Sequence, residues 1–181
     1  MPFDSDIKIA GDKPSTTVRK NKALAENQAD VSKKEIENAK KLGTDIANAF
    51  IKSVNNATSE NEQFDYGMLI QRQLLLAFTA TVGIEQYCSS ESLRGVAQKS
   101  FSDTLKNESS ELYKTSSDTG AFSFYYLAYR RGIEVDRRMG QTFAMLCSHD
   151  GDPVYQELGE ALYCWFLSVV RRSAKEYNLF N

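Results

Sequence analysis

The segment FSFYYLAYRRGIEVDRR, from Phe122 to Arg138, combines five aromatic rings with two arginine pairs. Tyrosine hydroxyls beside a guanidinium group can hold a small anion, because the planar guanidinium donates paired hydrogen bonds to carboxylate or phosphate oxygens. The residues that we expect to supply this contact are Tyr125, Tyr129, Arg130, Arg137 and Arg138. The segment therefore predicts a site for a small anionic ligand or a partner peptide.

The same residues also have a purely structural interpretation, which their spacing favours. The aromatic side chains recur at helical intervals and would form the buried face of a helix. Glu134 would pair with Arg138 four residues later and with an arginine one turn earlier, and each pair would contribute about 0.3–0.5 kcal/mol. Arginine stems would then cover the aromatic edges while their charged ends remain in water.

Gly132 leaves two helical arrangements open for this segment. It either ends a helix in a left-handed cap, so that a new helix starts near Glu134, or it lies inside one longer helix. Arg130 and Arg137 share a face only in the second arrangement. Sequence alone does not choose between the two.

Nucleic-acid binding is one alternative function for these arginines. Ala128 and Gly132 have an Ala-x-x-x-Gly spacing that resembles the helix-turn-helix family of DNA-binding proteins, and the resemblance implies a helix that enters the major groove. The family packs an aliphatic residue six positions after the glycine, where this chain has Arg138. Because Glu134 and Asp136 also stand beside the arginines, the sequence does not favour binding to phosphates.

Residues for metal-dependent catalysis are scarce in the chain. His149, in CSHDGDP, is the single histidine, so neither a His-Glu-x-x-His zinc site nor a di-iron site can form, and no Cys-x-x-Cys pair replaces it. His149, Asp150 and Asp152 are typical of a turn that stops one helix and caps the next. Phosphate-binding loops, dinucleotide-binding glycine motifs and nucleophile elbows are also absent from the sequence. We therefore predict no cofactor and no metal ion.

An enzymatic alternative depends on pairs of carboxylates three residues apart. Glu108 with Glu111, and Glu157 with Glu160, have the Glu-x-x-Glu spacing that could hold magnesium on one helix face. This spacing is similar to that of helical nucleotide pyrophosphatases, and the similarity implies a magnesium-dependent hydrolase acting on nucleotides. Such pairs are also common on solvated helix faces, so we expect a structural role.

Charge and cysteine content indicate a soluble cytoplasmic protein that does not associate with a membrane. The 181 residues carry 22 basic and 24 acidic side chains, a net charge of −2 that does not attract the chain to phosphate backbones. Cys88, Cys147 and Cys164 are predicted to be reduced, buried thiols. The N-terminus has no secretory leader. The longest apolar runs, 74–84 and 161–170, are too short to cross a bilayer.

Helical periodicity extends through most of the chain. We expect a flexible N-terminal arm over residues 1–14 and one helical domain over 15–181, in which 15–30 would be a marginal helix. Ser32 and Glu35 form a capping box, and the helix that they start should stop at 55–59. Further helices are predicted to start at Ser89 or Ser90, at Asp118 or Thr119, and at Asp152. Helices over 60–87 and 152–177 are apolar on nearly every side and should be central.

The sequence thus predicts an all-α fold, a single-domain bundle of six or seven helices. Its expected role is that of a non-enzymatic interaction or regulatory module. The partners that we expect are another protein or a second copy of the chain, bound through an aromatic face, or a small anionic ligand. Neither the identity of the partner nor the pathway follows from the residues.

Overall fold

The computed structural model describes residues 31–60, 66–117 and 119–180. The predicted arm over 1–14 and the marginal helix over 15–30 lie outside these residues. Contacts between Cα atoms group Ser32–Asn181 into one compact unit. Within the described ranges the protein is all-α with no strand, which confirms the predicted bundle of six or seven helices.

Seven helices follow one another along the described chain. They are α1 (Lys33–Glu60), α2 (Tyr66–Tyr87), α3 (Glu91–Glu108), α4 (Ser110–Ser116), α5 (Thr119–Arg130), α6 (Val135–Leu146) and α7 (Pro153–Glu176). The largest packing interfaces join α1 to α3, α6 to α7, and α2 to α7. The central position predicted for α2 is confirmed, since every residue from Leu74 to Ala80 is buried.

Side-chain caps begin the helices at the predicted positions. The backbone N–H of Ser32 donates to Glu35 Oε2 at 2.8 Å, and the N–H of Glu35 donates to Ser32 Oγ at 3.2 Å, which completes the capping box. Asp152 Oδ1 accepts a hydrogen bond from the N–H of Val154 at 2.9 Å, and Pro153 occupies the first turn of α7. These contacts satisfy amide groups that the helix itself leaves without acceptors.

Two predicted helix ends are displaced. We expected α1 to stop at 55–59, but it continues to Glu60. Asn and Ser cost only about 0.5 kcal/mol each in a helix, and Ala57 is buried, so packing outweighs the local preference. The break expected at Asn107 occurs at Ser109, whose extended backbone separates α3 from α4.

Helix α7, predicted to be central, takes part in two of the three largest helix interfaces, but only part of its surface is buried. Leu162, Phe166 and Val170 are buried, but Trp165 is 45% exposed and Cys164, predicted to be a buried thiol, is also exposed. Helices α2, α6 and, with fewer contacts, α1 pack against α7 and leave these two side chains uncovered. Hydrophobicity counted along the helix does not report how many neighbours the helix has.

The segment after α7 packs back against the end of α2. The N–H of Ser89 donates to the carbonyl oxygen of Leu179 at 2.9 Å, and the Leu179 side chain is buried. The ring of Phe180 stacks on that of Tyr87 at 5.5 Å between centroids. The guanidinium carbon of Arg171 also lies over the Phe180 ring, 5.7 Å from its centroid.

Helix α2 is the one described helix that is long and apolar enough to cross a membrane. The predicted apolar runs were judged too short, but the complete helix has 22 residues. Within its most apolar window, 61% of the residues are buried inside the fold. Burial of this kind is also found in the core helices of soluble proteins.

Candidate functional site

The turn between α5 and α6 settles the two arrangements that Gly132 left open. Helix α5 ends at Arg130, Gly132 has a φ of +68°, and α6 begins at Val135. The N–H of Gly132 donates to the carbonyl oxygen of Tyr129 at 3.1 Å, which closes the end of α5. Arg130 and Arg137 therefore belong to different helices, and no continuous helix face carries both.

Tyr125, the first of the predicted binding residues, lies in the hydrophobic core. Its side chain is fully buried and its ring centroid is 5.6 Å from that of Phe78. The hydroxyl oxygen is buried and has no hydrogen-bond partner among the described residues. Burial raises the pKa of Tyr125 well above its usual range, so the phenol stays neutral. The predicted aromatic inner face of α5 is present here, with Phe122 and Tyr129 also against Phe78.

Tyr129 and Arg130 line an open groove of about 840 Å³, which we call the α5 groove. Its walls come from the end of α2, from α5, from the turn before α6 and the start of α6, and from the middle of α7. The rings in its lining are those of Tyr126, Tyr129 and Tyr163, and the charged side chains are those of Glu85, Arg130, Glu134 and Asp136. Gln86, Gly132, Val135, Cys164 and Leu167 complete the lining.

Burial and nearby carboxylates raise the pKa values of three groove side chains, Tyr129, Tyr163 and Cys164. The pKa of Tyr129 is raised by burial and then by the carboxylate of Glu85, and the pKa of Tyr163 is raised chiefly by burial. The pKa of the Cys164 thiol is raised by burial, then by Asp136 and Glu160. A carboxylate near these groups disfavours their anionic forms, so the electrostatic environment of the groove is negative.

A smaller cavity of about 260 Å³ adjoins the α5 groove, because Glu85 and Tyr126 line both. Its remaining walls are mainly apolar and include Phe78, Val82 and Phe122. The Phe78 and Phe122 rings meet edge to face with 5.7 Å between centroids. A charged region and an apolar region therefore lie side by side along α2 and α5.

The other two predicted arginines do not line the α5 groove. Arg137 is exposed and its Nη1 lies 3.7 Å from Glu134 Oε1. Arg138 lines a separate hollow of about 160 Å³ between α5 and α6, and its Nε donates to the carbonyl oxygen of Ile133 at 2.9 Å. The predicted Glu134–Arg138 pair is replaced by the Glu134–Arg137 pair, because Glu134 is a turn residue with a φ of +48° and not part of a continuous helix.

Several groove residues were not predicted from the sequence. Glu85, Tyr163 and Cys164 come from α2 and α7, far along the chain from the aromatic-arginine segment. No motif connects them with that segment, and only the packing of α2 and α7 against α5 brings them together. Of the five predicted residues, Tyr129 and Arg130 share one groove, and Tyr125, Arg137 and Arg138 lie elsewhere.

Neither the predicted carboxylate pairs nor His149 belongs to a cluster of metal ligands among the described residues. Glu108 and Glu111 belong to two helices separated at Ser109, so they do not share one helix face. The His149 ring stacks on Tyr155 at 3.7 Å between centroids, and its Nδ1 is 4.0 Å from Asp152 Oδ2. Among the residues that the structure describes, no group of three or more His, Cys, Asp or Glu side chains could hold a metal ion.

Fold and groove together define an all-α bundle with an open, tyrosine-lined groove at the α5–α6 turn. Comparison with protein-family models, curated proteins and solved structures found no match to this chain.

Proposed function

We propose that this protein is a non-enzymatic cytosolic interaction module that binds a partner segment in the α5 groove. The observation that carries the proposal is the groove, whose volume of about 840 Å³ lies within the range of roughly 300–1,000 Å³ that is typical of ligand sites. It is open to solvent and combines aromatic walls with charged side chains, which is the composition of recognition surfaces.

The state of the groove side chains supports binding over catalysis. A nucleophilic thiol needs a lowered pKa, but the pKa of Cys164 is raised. The pKa values of Tyr129 and Tyr163 are raised as well. A cytosolic location is supported by the three cysteines, none of which forms a disulfide.

A small anion, the ligand first expected from the sequence, is the weaker version of this proposal. Arg130 is the one cation in the groove lining, and three carboxylates line it as well. An anion held by Arg130 would be repelled by those carboxylates. A peptide or a cationic group meets no such obstacle.

An array of random hexapeptides, probed with the full chain, tests the proposal. Cys164→Trp places a large side chain in the groove from an exposed position and should weaken peptide binding at least about tenfold. Ala161→Trp is the matched control, since Ala161 is an exposed residue of α7 outside the groove lining. If no peptide bound, or if both variants bound as the parent does, the proposal would be wrong.

Self-association is a second part of the proposal, favoured by an apolar face on α5 and α6 outside the groove. The exposed side chains there are Phe124, Leu127 and Met145, with exposed fractions of 49%, 62% and 41%, and all three line the hollow between the two helices. Exposed apolar residues gathered on one face are typical of protein–protein interfaces. We propose that a second copy of the chain covers them.

Sedimentation of the purified chain tests this second part. The parent should form a dimer, and Leu127→Glu should shift it to a monomer by placing a charge in the interface. Val154→Glu is the control, because Val154 is 69% exposed and belongs to α7, which carries none of these apolar side chains. A parent chain that stays monomeric at high concentration would contradict self-association.

A further inference from the structure

We infer that the α5 groove receives a basic side chain, lysine or arginine, of a partner peptide, and that the adjoining cavity receives an apolar side chain of the same peptide. The inference rests on the proposed function and adds the chemistry of the occupant. It reverses the charge of the ligand that the arginine-rich sequence suggested.

The charged groups in the groove lining come from α2, α5, the turn and α6, while α7 contributes only uncharged side chains. Glu85 on α2, Glu134 in the turn and Asp136 on α6 are carboxylates, and Arg130 on α5 is the one guanidinium in the lining. The three negative charges and one positive charge give the groove lining a net charge of −2. If Arg137, which pairs with Glu134, is included, the net charge is −1. The groove is therefore complementary to a cation.

Two of these carboxylates are available for a ligand. Neither Glu85 nor Asp136 forms an ion pair with any residue that the structure describes, and both are exposed. The guanidinium of Arg130 lies over the Tyr126 ring at 5.7 Å, where it contacts the aromatic face. Asp136 Oδ1 accepts a hydrogen bond from the backbone N–H of Arg137 at 2.9 Å, but this bond leaves the negative charge of the carboxylate unpaired. A cation entering the groove would thus find two carboxylates that form no ion pair with a described residue.

The effect of the carboxylates on neighbouring groups shows that their charge acts on the groove walls. Burial is the largest cause of the raised pKa of Tyr129, and Glu85 is the second. Burial is likewise the largest cause of the raised pKa of Cys164, and Asp136 is the second. The two acids belong to different walls of the groove, Glu85 to α2 and Asp136 to α6. A charge placed between them would interact with both.

The tyrosines favour a cation on an aliphatic stem. Tyr126, Tyr129 and Tyr163 present aromatic rings to the groove. Ammonium and guanidinium groups are attracted to the faces of such rings, and the methylene stems of lysine and arginine pack against them. Carboxylates together with aromatic rings are the combination that recognises basic side chains.

The adjoining cavity favours a peptide over a free amine. It shares the lining residues Glu85 and Tyr126 with the groove, and its other walls include Phe78, Val82 and Phe122. Its volume of about 260 Å³ can take an apolar side chain. A ligand that carries a cation and an apolar group on one backbone would occupy both the groove and the adjoining cavity. A small amine would occupy only the groove.

Hexapeptide arrays with one fixed position provide the first measurement. The fixed residue is lysine, arginine, norleucine, leucine or glutamate, and the full chain is the probe. We expect selection of lysine or arginine together with an apolar residue. In the best peptide, norleucine in place of lysine should lower the affinity about tenfold, because it keeps the stem and removes the charge.

Protection of Cys164 from maleimide provides the second measurement. Cys164 is exposed in the groove, whereas Cys88 and Cys147 are buried and report only on unfolding. The lysine peptide should slow labelling of Cys164 in the parent. Glu85→Gln and Asp136→Asn should each weaken that protection several-fold, and Glu157→Gln, an exposed acid of α7 outside the groove, should not.

The outcomes separate this inference from the proposed function. If peptides bind in the groove with no preference for basic residues, the groove is a binding site but the inferred cationic side chain is wrong. The same conclusion follows if inorganic phosphate protects Cys164 and the peptide does not. If butylammonium binds as tightly as the peptide, the inference that the ligand is a peptide is wrong. If no hexapeptide binds in a manner sensitive to Cys164→Trp, both the inference and the proposed function are wrong.

Discussion

Gly43 of α1 lies directly against the backbone carbonyl oxygen of Ala97 in α3, so closely that a Cβ atom at residue 43 would overlap that oxygen. Beside this contact, the Thr44 and Ser100 hydroxyls are 3.1 Å apart, and Ser100 Oγ donates to the carbonyl oxygen of Lys40 at 2.8 Å. The two helices therefore approach through backbone and hydroxyl groups at this crossing.

The α1–α3 crossing predicts opposite effects for two glycine-to-alanine changes. Gly43→Ala should lower the free energy of unfolding by about 1–3 kcal/mol, since the obstructing atom is backbone and cannot rotate away. Gly95→Ala in α3 should raise it by about 0.5–1 kcal/mol, because that position is open and alanine favours the helix. Urea unfolding measures both. A Gly43→Ala protein as stable as the parent would contradict the close approach.

Removing a single tyrosine hydroxyl should have opposite effects at two positions. Tyr125→Phe removes a buried hydroxyl that has no described partner, so the free energy of unfolding should rise by about 1 kcal/mol. Tyr177→Phe removes a hydroxyl that donates to Asp45 Oδ2, so stability should fall by about 0.5–1.5 kcal/mol. Denaturant unfolding compares the two. A loss of stability in Tyr125→Phe would indicate a hydrogen bond to that hydroxyl.

Stability should fall at alkaline pH. Burial raises the pKa of Cys88 to about 11, and a hydrogen bond to Asp45 raises the pKa of Tyr177 to about 12. A group whose pKa is higher in the folded state contributes its full stabilisation below its unfolded-state pKa, which is near 9 for the thiol and 10 for the phenol. This stabilisation is lost as the pH rises through the folded-state pKa. Unfolding free energies should thus decline from about pH 9 upward, and less steeply above about pH 10 in Tyr177→Phe.

Labelling of Cys164 should depend on Asp136. The pKa of this thiol is raised by burial first and by Asp136 next, so little reactive thiolate exists at neutral pH. Asp136→Asn removes one of these causes and should speed maleimide labelling roughly twofold at a fixed pH. Glu157→Gln serves as the control, because that carboxylate is not among the groups acting on Cys164. Equal rates in all three proteins would show that Asp136 does not act on the thiol.

The helical content could be predicted because its signals are local. The capping box at Ser32 and Glu35, and Asp152 before Pro153, need only residues within one turn, and both start helices as expected. The extension of α1 to Glu60 was not predictable in the same way. It depends on the burial of Ala57 in the packed bundle, and that burial outweighs weak preferences of the local sequence.

The candidate site shows the limit of local signals. Tyr129 and Arg130 could be singled out from their own segment, but the segment does not say which of its aromatic rings faces the core and which faces a groove. Tyr125 is fully buried and Tyr126 is 50% exposed, although they are neighbours in sequence. The distinction follows from the position of Phe78 on α2.

Residue spacing alone was sufficient to establish an all-α chain, the capped starts of α1 and α7 and an aromatic inner face on α5, because a helix repeats every 3.6 residues and its caps are made by near neighbours. The groove, its negative charge and the exposed side of α7 were decided by packing. Glu85, Asp136 and Cys164 meet only because α2, α6 and α7 come together around α5. Contacts between residues so distant along the chain depend on the three-dimensional arrangement of whole helices, for which no local pattern carries the information.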